Sequence, residues 1–300
     1  MNKLIFLLLV ISLFADELPS WNEGDAKNAI INFIQESTDS ANKNYVKPED
    51  RIAVFDQDGT LWVEHPLYTQ AVFALDRLAK LAPDHPEWKN KEPFKSVLEG
   101  KFEFDEKGWT EIIAATHTGM TTEQFNQEAK SWIETAIHPR FNKKYTDLVY
   151  QPMLEVIRFF IKNGFKTYIV TGGGQEFVRT YSNQTYQIPV EQIVGSSVQL
   201  EYAYKDGKPV LVRLPKVFLI DDHKGKPIGI NIFIAKRPQA AFGNSDGDKE
   251  MLEWTEGGDK AKLMMLVHHD DPDREYAYGP DTKIGTFSDA LMDEAKLKKW

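Results

Sequence analysis

The chain has 300 residues, 42% hydrophobic and 27% charged, with a formal net charge of −9 and no cysteine. This is the composition of an ordinary globular protein, long enough for one large domain or a core with a smaller insert. The negative balance argues against nucleic acid and anionic membranes as partners. The lack of cysteine excludes disulfides, thiolate zinc sites and a cysteine nucleophile.

Residues 1–15 stand apart from that picture. Lys3 precedes an apolar run from Leu4 to Phe14, and Ala15 follows it. A short positive start, an apolar stretch of about 7–15 residues and a small residue form a secretory signal pattern. The run is too short for a membrane span, which needs roughly 20 residues. A cleaved signal peptide is therefore expected, leaving no membrane span and a mature chain in the periplasm or outside the cell. A buried N-terminal helix is the competing reading.

Trp21 to Ser40 has helical periodicity, with Ala29, Ile30, Phe33 and Ile34 on one stripe. Arg51 to Phe55 reads as a buried strand running into Asp56. Between about Pro66 and Tyr150 the period is helical, aromatics and Lys/Glu are frequent, and no strong strand run occurs. Within it, Thr121 and Gln124 match a capping box. Pro152 suits a first helical turn and Gly164 a helix stop. Lys166 to Val170 is a strand ending in Thr171-Gly172-Gly173-Gly174. Gln199 to Leu214 reads as a hairpin around Asp206-Gly207. Ala240 to Phe242 is a strand ending in Gly243-Asn244-Ser245-Asp246-Gly247-Asp248, with a helix expected around Met251, Leu252 and Trp254. Leu263 to Val267 is another strand, and the tail from Ser288 is helical.

Three apolar strands thus end in short polar loops. Open parallel sheets bind ligands at the carboxyl ends of their strands, so Asp56, Thr171 and Asn244 are expected on one sheet edge. Asp56 and Asp58 alternate along an extended segment, and Gly59 permits a tight bend after them. Two carboxylates so close repel unless a cation binds or one keeps a proton, and both outcomes suit catalysis. An isolated Asp-x-Asp-Gly would be only a polar turn; the strand before it and the matching loops downstream change that reading.

Val54-Phe55-Asp56-Gln57-Asp58-Gly59-Thr60-Leu61 resembles the first motif of the haloacid dehalogenase superfamily, and the resemblance extends over nearly the whole mature chain. It implies an α/β fold: a Rossmann-like parallel sheet core with helices on both faces, formed by residues 16–65 and 151–300. It also implies a helical cap, residues 66–150, inserted between the first and second motifs. Thr171 is similar to the second-motif residue that binds phosphate, and Gly172 can offer a backbone N–H. Lys226 resembles the third-motif lysine, with Lys224 as competitor. Asn244 and Asp248 match the fourth motif, except that Asn stands where the common form has Asp; Asp246 is an alternative.

The resemblance further implies a phosphomonoester hydrolase with Asp56 as nucleophile and Asp58 as general acid/base. Mg2+ would be held by Asp56, the Asp58 backbone carbonyl, Asn244 and Asp248, and the substrate would be a small phosphorylated molecule. Alternatives are a phosphotransferase or phosphomutase, and a non-catalytic exported protein that binds phosphorylated ligands. The layout looks like the phosphoserine phosphatase branch, whose Glu after the first motif reads an amino group. Here His65 falls at that place and Glu64 is one residue early, so serine specificity is not carried over. His268-His269-Asp270-Asp271 is an unfavoured second metal cluster, because adjacent side chains of an extended chain point to opposite faces. Trp109 and Trp132 are expected in the core. Substrate identity and oligomeric state are not readable.

Overall fold

A computed structural model describes residues 17–102 and 104–300; the expected signal peptide lies outside the described residues. In chain order the elements are α1 (Asp25–Thr38), β1 (Ile52–Phe55), α2 (Thr69–Leu81), α3 (Phe94–Leu98), α4 (Glu106–His117), α5 (Thr122–Ile133) and α6 (Gln151–Lys162). Then follow β2 (Lys166–Gly174), α7 (Gln175–Arg179), α8 (Ser182–Tyr186), β3 (Ile193–Lys205), β4 (Lys208–Leu219) and α9 (Gly225–Phe233). The chain ends with β5 (Ala240–Gly243), α10 (Lys249–Glu256), β6 (Leu263–Leu266) and α11 (Asp289–Lys298). Among the described residues no helix is long and apolar enough to cross a membrane.

One six-stranded sheet runs β4-β3-β2-β1-β5-β6. All its pairings are parallel except β3 with β4. β1 is central and buried throughout, as an unbroken Ile-Ala-Val-Phe run requires when both sheet faces are covered. Its side chains alternate. Ala53 and Phe55 join the larger core with Phe33 of α1, Phe160 of α6 and Phe242, while Ile52 and Val54 join Ile230 of α9 and Met251 and Leu252 of α10. The helices therefore cover both faces, and the sheet is the Rossmann-like α/β core expected. Phe55 stacks on Phe242 at 4.6 Å between centroids, locking β1 to β5 just before their functional ends.

α6 begins with Pro152 in its first turn and stops before Gly164, whose φ of +78° ends the helix. α2 to α5 fill the segment between β1 and α6; α2 to α4 share an apolar cluster of their own, with Ala74, Leu78, Trp88, Phe94 and Ile112, while Phe125, Ala129 and Ile133 of α5 join the larger core. The capping box at Thr121 and Gln124 is present. The hairpin is longer than its alternation suggested. β3 starts at Ile193, running parallel to β2 through Ser196, and only from Ser197 does it pair with β4. Its first residues are buried and its later ones exposed, so the two halves carry different patterns, and only the exposed half shows the alternation of a two-sided ribbon.

Candidate active site

The position of Asp56 is set by the sheet. Asp56 N donates to Phe242 O at 2.9 Å, extending the β1–β5 ladder by one residue. The chain then bends at Gly59, with φ +77°, and Gly59 N donates to Trp62 O at 2.9 Å. A Cβ on Gly59 would lie 2.1 Å from Asn244 Nδ2, so glycine is needed for both the turn and the close approach. Trp62 Nε1 donates to Asp58 Oδ1 at 2.8 Å and holds that carboxylate in place.

At the end of β2 the pairing with β3 slips between Thr171 and Gly174, and the intervening glycines bulge. Gly173 N donates to Thr171 Oγ1 at 3.0 Å, and Gly174 N donates to Gln70 Oε1 of α2 at 2.6 Å. A Cβ on Gly174 would lie 2.6 Å from Gln70 Nε2. Gly172 is exposed and lines the cavity above the site, as does Thr171.

Lys226, in the first turn of α9, joins the three strand ends. Its Nζ lies 2.5 Å from Asp56 Oδ1, 2.7 Å from Asp248 Oδ1 and 2.8 Å from Val170 O. Lys226 is 1% exposed; Lys224 is exposed, so the structure brings Lys226 and not Lys224 to the strand ends. Asp248 Oδ2 accepts from Asn244 N, Ser245 N and Ser245 Oγ, closing the loop after β5 on itself. Asn244 Oδ1 accepts from Thr60 Oγ1 at 3.1 Å, and its Nδ2 donates to Glu64 Oε1 at 2.8 Å. Asp246 points elsewhere: its Oδ1 accepts from Ser288 N and Oγ at the start of α11.

Several participants carried no signal in the sequence pattern. Glu64, and not His65, lines the cavity with Asp56 and Asp58; His65 Nε2 faces Ile284 O. Tyr278, from the loop after β6, donates its phenol to Glu64 Oε1. Arg213 of β4 pairs with Glu176, donates to His117 O and stacks on Phe125, fixing the hairpin against α4 and α5. His269 is a brace and not part of a metal cluster: its Nε2 meets Gly59 O at 2.7 Å and its Nδ1 meets Glu275 Oε1 at 2.9 Å. Trp132 packs between Phe73 and Tyr145, while Trp109 lines the outer cavity.

The site is rich in buried acid groups. Asp56, Asp58, Glu64 and Asp248 crowd around the single ammonium of Lys226. Burial pushes the Asp56 carboxyl well up, Asp248 adds to this, and Lys226 opposes it. Burial lifts Asp58 to about 6 against the Trp62 and Lys226 contacts. Burial would lower the Lys226 ammonium, but Asp248 and Asp56 hold it above its ordinary range, so it stays charged. Such a negative excess in a buried site is relieved by protons or a cation. The donors are all oxygen, as a hard cation requires. Among the described residues no three acidic or histidine side chains already converge on one point. Magnesium does not need such a cage, since it keeps several waters and takes one or two carboxylates plus substrate phosphate.

A family model described as haloacid dehalogenase-like hydrolase matches residues 53–253. The chain belongs to the haloacid dehalogenase-like hydrolases. No match is found among curated proteins. A conserved functionally unknown protein from Anaerococcus prevotii DSM 20548 superposes with a TM-score of 0.50 at 16% identity, covering 91% of this hydrolase and 88% of that chain. A protein with unknown function from Bordetella pertussis Tohama I gives 0.49 at 16%, covering 83% and 96%. A phosphoserine phosphohydrolase-like protein from Francisella tularensis subsp. tularensis SCHU S4 gives 0.39 at 16%, covering 71% and 85%. At such identities the likeness to solved structures concerns the fold alone.

Proposed function

We propose that this hydrolase is a magnesium-dependent phosphomonoesterase that works through an aspartyl-phosphate on Asp56. The observation that carries the reading is Lys226, which holds Asp56 Oδ1 at 2.5 Å beside a cavity that Asp56 lines together with Asp58 and Thr171. Asp56 Oδ2 attacks phosphorus, and the ester oxygen leaves with the bonding electrons. Asp58 gives that oxygen its proton, a step that its raised range permits. The resulting Asp58 carboxylate then takes a proton from water, whose oxygen attacks phosphorus and frees Asp56 and phosphate. Thr171 and the Gly172 N–H support the phosphoryl oxygens. Magnesium, with Asp56, the Asp58 carbonyl and the loop of Asn244 and Asp248 around it, would neutralise charge on those oxygens.

The leaving alcohol would lie in a cavity of about 400 Å³. Its wall includes Ala71, Ile113, Val198, Val217, Leu219 and Ile220, contributed by α2, α4, the β3–β4 hairpin and the residue after it. We read the helical insert as a cap that shapes this space, and the apolar wall suits an ester with an apolar or aromatic body. The signal pattern at residues 1–15 extends the proposal to an exported enzyme; mature protein that still begins at Met1 would remove that part. The central test is turnover of an aryl phosphate with and without chelator. Asp56→Asn and Asp58→Asn proteins should lose it, and unchanged rates in both would refute the roles given.

A further inference from the structure

The fourth motif carries neutral Asn244 at a position where this family commonly has an acid, yet a carboxylate sits directly against it. Glu64 is 2% exposed, and its Oε1 accepts from Asn244 Nδ2 at 2.8 Å and from the Tyr278 phenol. Both bonds fall on Oε1, and Glu64 lines the same cavity as Asp56 and Asp58. Two glycines make room for it. A Cβ on Gly59 would lie 2.3 Å from Oε1, and one on Gly285 closer still. Lys226 engages Asp56 and Asp248 and makes no ion pair with Glu64. A buried carboxylate is neutralised by a proton or by a cation, and its place beside an amide that stands where a charged ligand is common favours a cation in the cavity.

We propose that Glu64 is an anionic partner of the bound magnesium and supplies the charge that Asn244 lacks, the two positions being a swapped acid–amide pair. This rests on the metal-dependent reading above. A purely structural Glu64 would only brace Tyr278 and the Gly285 loop, and the two roles separate in metal affinity.

The test is calorimetric titration of Mg2+ into wild type, Glu64→Gln, Asn244→Asp and the double variant, with circular dichroism in chelator to check each fold. Glu64→Gln should bind Mg2+ at least about tenfold more weakly, the scale seen when groups that support a metal are lost. The double variant, with its acid moved to position 244, should return to within about threefold of wild type. Asn244→Asp alone should bind more tightly than wild type, which keeps the test open if Glu64→Gln does not fold. Wild-type affinity in Glu64→Gln, no recovery in the double variant, or no change in Asn244→Asp would each overturn the assignment while leaving magnesium dependence intact. A wild type that takes up no Mg2+ removes the metal reading and this proposal together.

Discussion

The Lys226 ammonium stands 2.5 Å from Asp56 Oδ1 while still reaching Asp248, so the proposed nucleophile is held by a cation delivered from a helix far along the chain. That contact is both structural and electrostatic. Removing one partner of a buried ion pair strands the other, at about 3–5 kcal/mol. Lys226→Met should therefore lower the unfolding free energy by about that amount in urea melts. It should also cut kcat by about 10²–10³, as loss of a transition-state charge contact does. A variant of wild-type stability would show that the pair adds nothing to the fold.

In the proposed mechanism Asp58 is the group that should set the alkaline limb of activity. Burial lifts its carboxyl to about 6, and the acid form is needed to protonate the leaving group. The kcat/KM for an ester with a poor leaving group should thus fall as pH rises through about 6. The Trp62 indole N–H stabilises the ionised form, so Trp62→Phe should move the limb to higher pH. A limb that stays fixed in this variant would show that another group controls it.

The parallel-sheet core and the expectation that Asp56, Thr171 and Asn244 lie at one sheet edge were legible because each depends on local pattern, whereas Lys226 is reached only through the resemblance and its order along the chain. Ile52-Ala53-Val54-Phe55 before Asp56 and Tyr168-Ile169-Val170 before Thr171-Gly172 mark buried strands, and the repetition of polar loops at their ends marks the functional edge. Glu64 was not legible in its role, because that role depends on Tyr278 and Gly285 folding back over the loop after β1. Nothing local in Trp62-Val63-Glu64-His65 tells which of Glu64 and His65 turns inward. The start of β3 was hidden for another reason: Ile193 and Val194 are buried beside β2, and the alternation appears only where the ribbon leaves the core. The spacing of His268-His269-Asp270-Asp271 disfavours a metal site, but the bracing role of His269 was hidden, since its partners Gly59 and Glu275 come from separate loops.

Asp221 should make stability pH-dependent. It is fully buried, neither side-chain oxygen has a hydrogen-bond partner, and burial lifts its carboxyl to about 7. Its folded range therefore lies above the unfolded value near 3.8. For a raised group the stabilising contribution is complete below the unfolded value and is lost as pH rises through the folded one. The urea midpoint should fall between about pH 4 and pH 7, and Asp221→Asn should flatten that fall. An equal slope in the variant would assign the dependence to other carboxylates.

Leaving-group preference is the property most exposed to test. Ile113 of α4 and Val198 and Val217 of the hairpin line the cavity that Asp56 and Asp58 also line. Arg213, at the same wall, is already paired with Glu176 and stacked on Phe125, so it offers little to a charged leaving group. An aryl phosphate should therefore be turned over with a lower KM than phosphoserine. Contact with one apolar side chain is worth about 1.5 kcal/mol or more, and 1.4 kcal/mol is tenfold in affinity. Ile113→Asn should raise KM for the aryl ester about tenfold with kcat little changed, the signature of lost uniform binding. Its KM for phosphoserine should hardly move. An equal rise for both esters would place the defect in the phosphate site and not in the apolar wall.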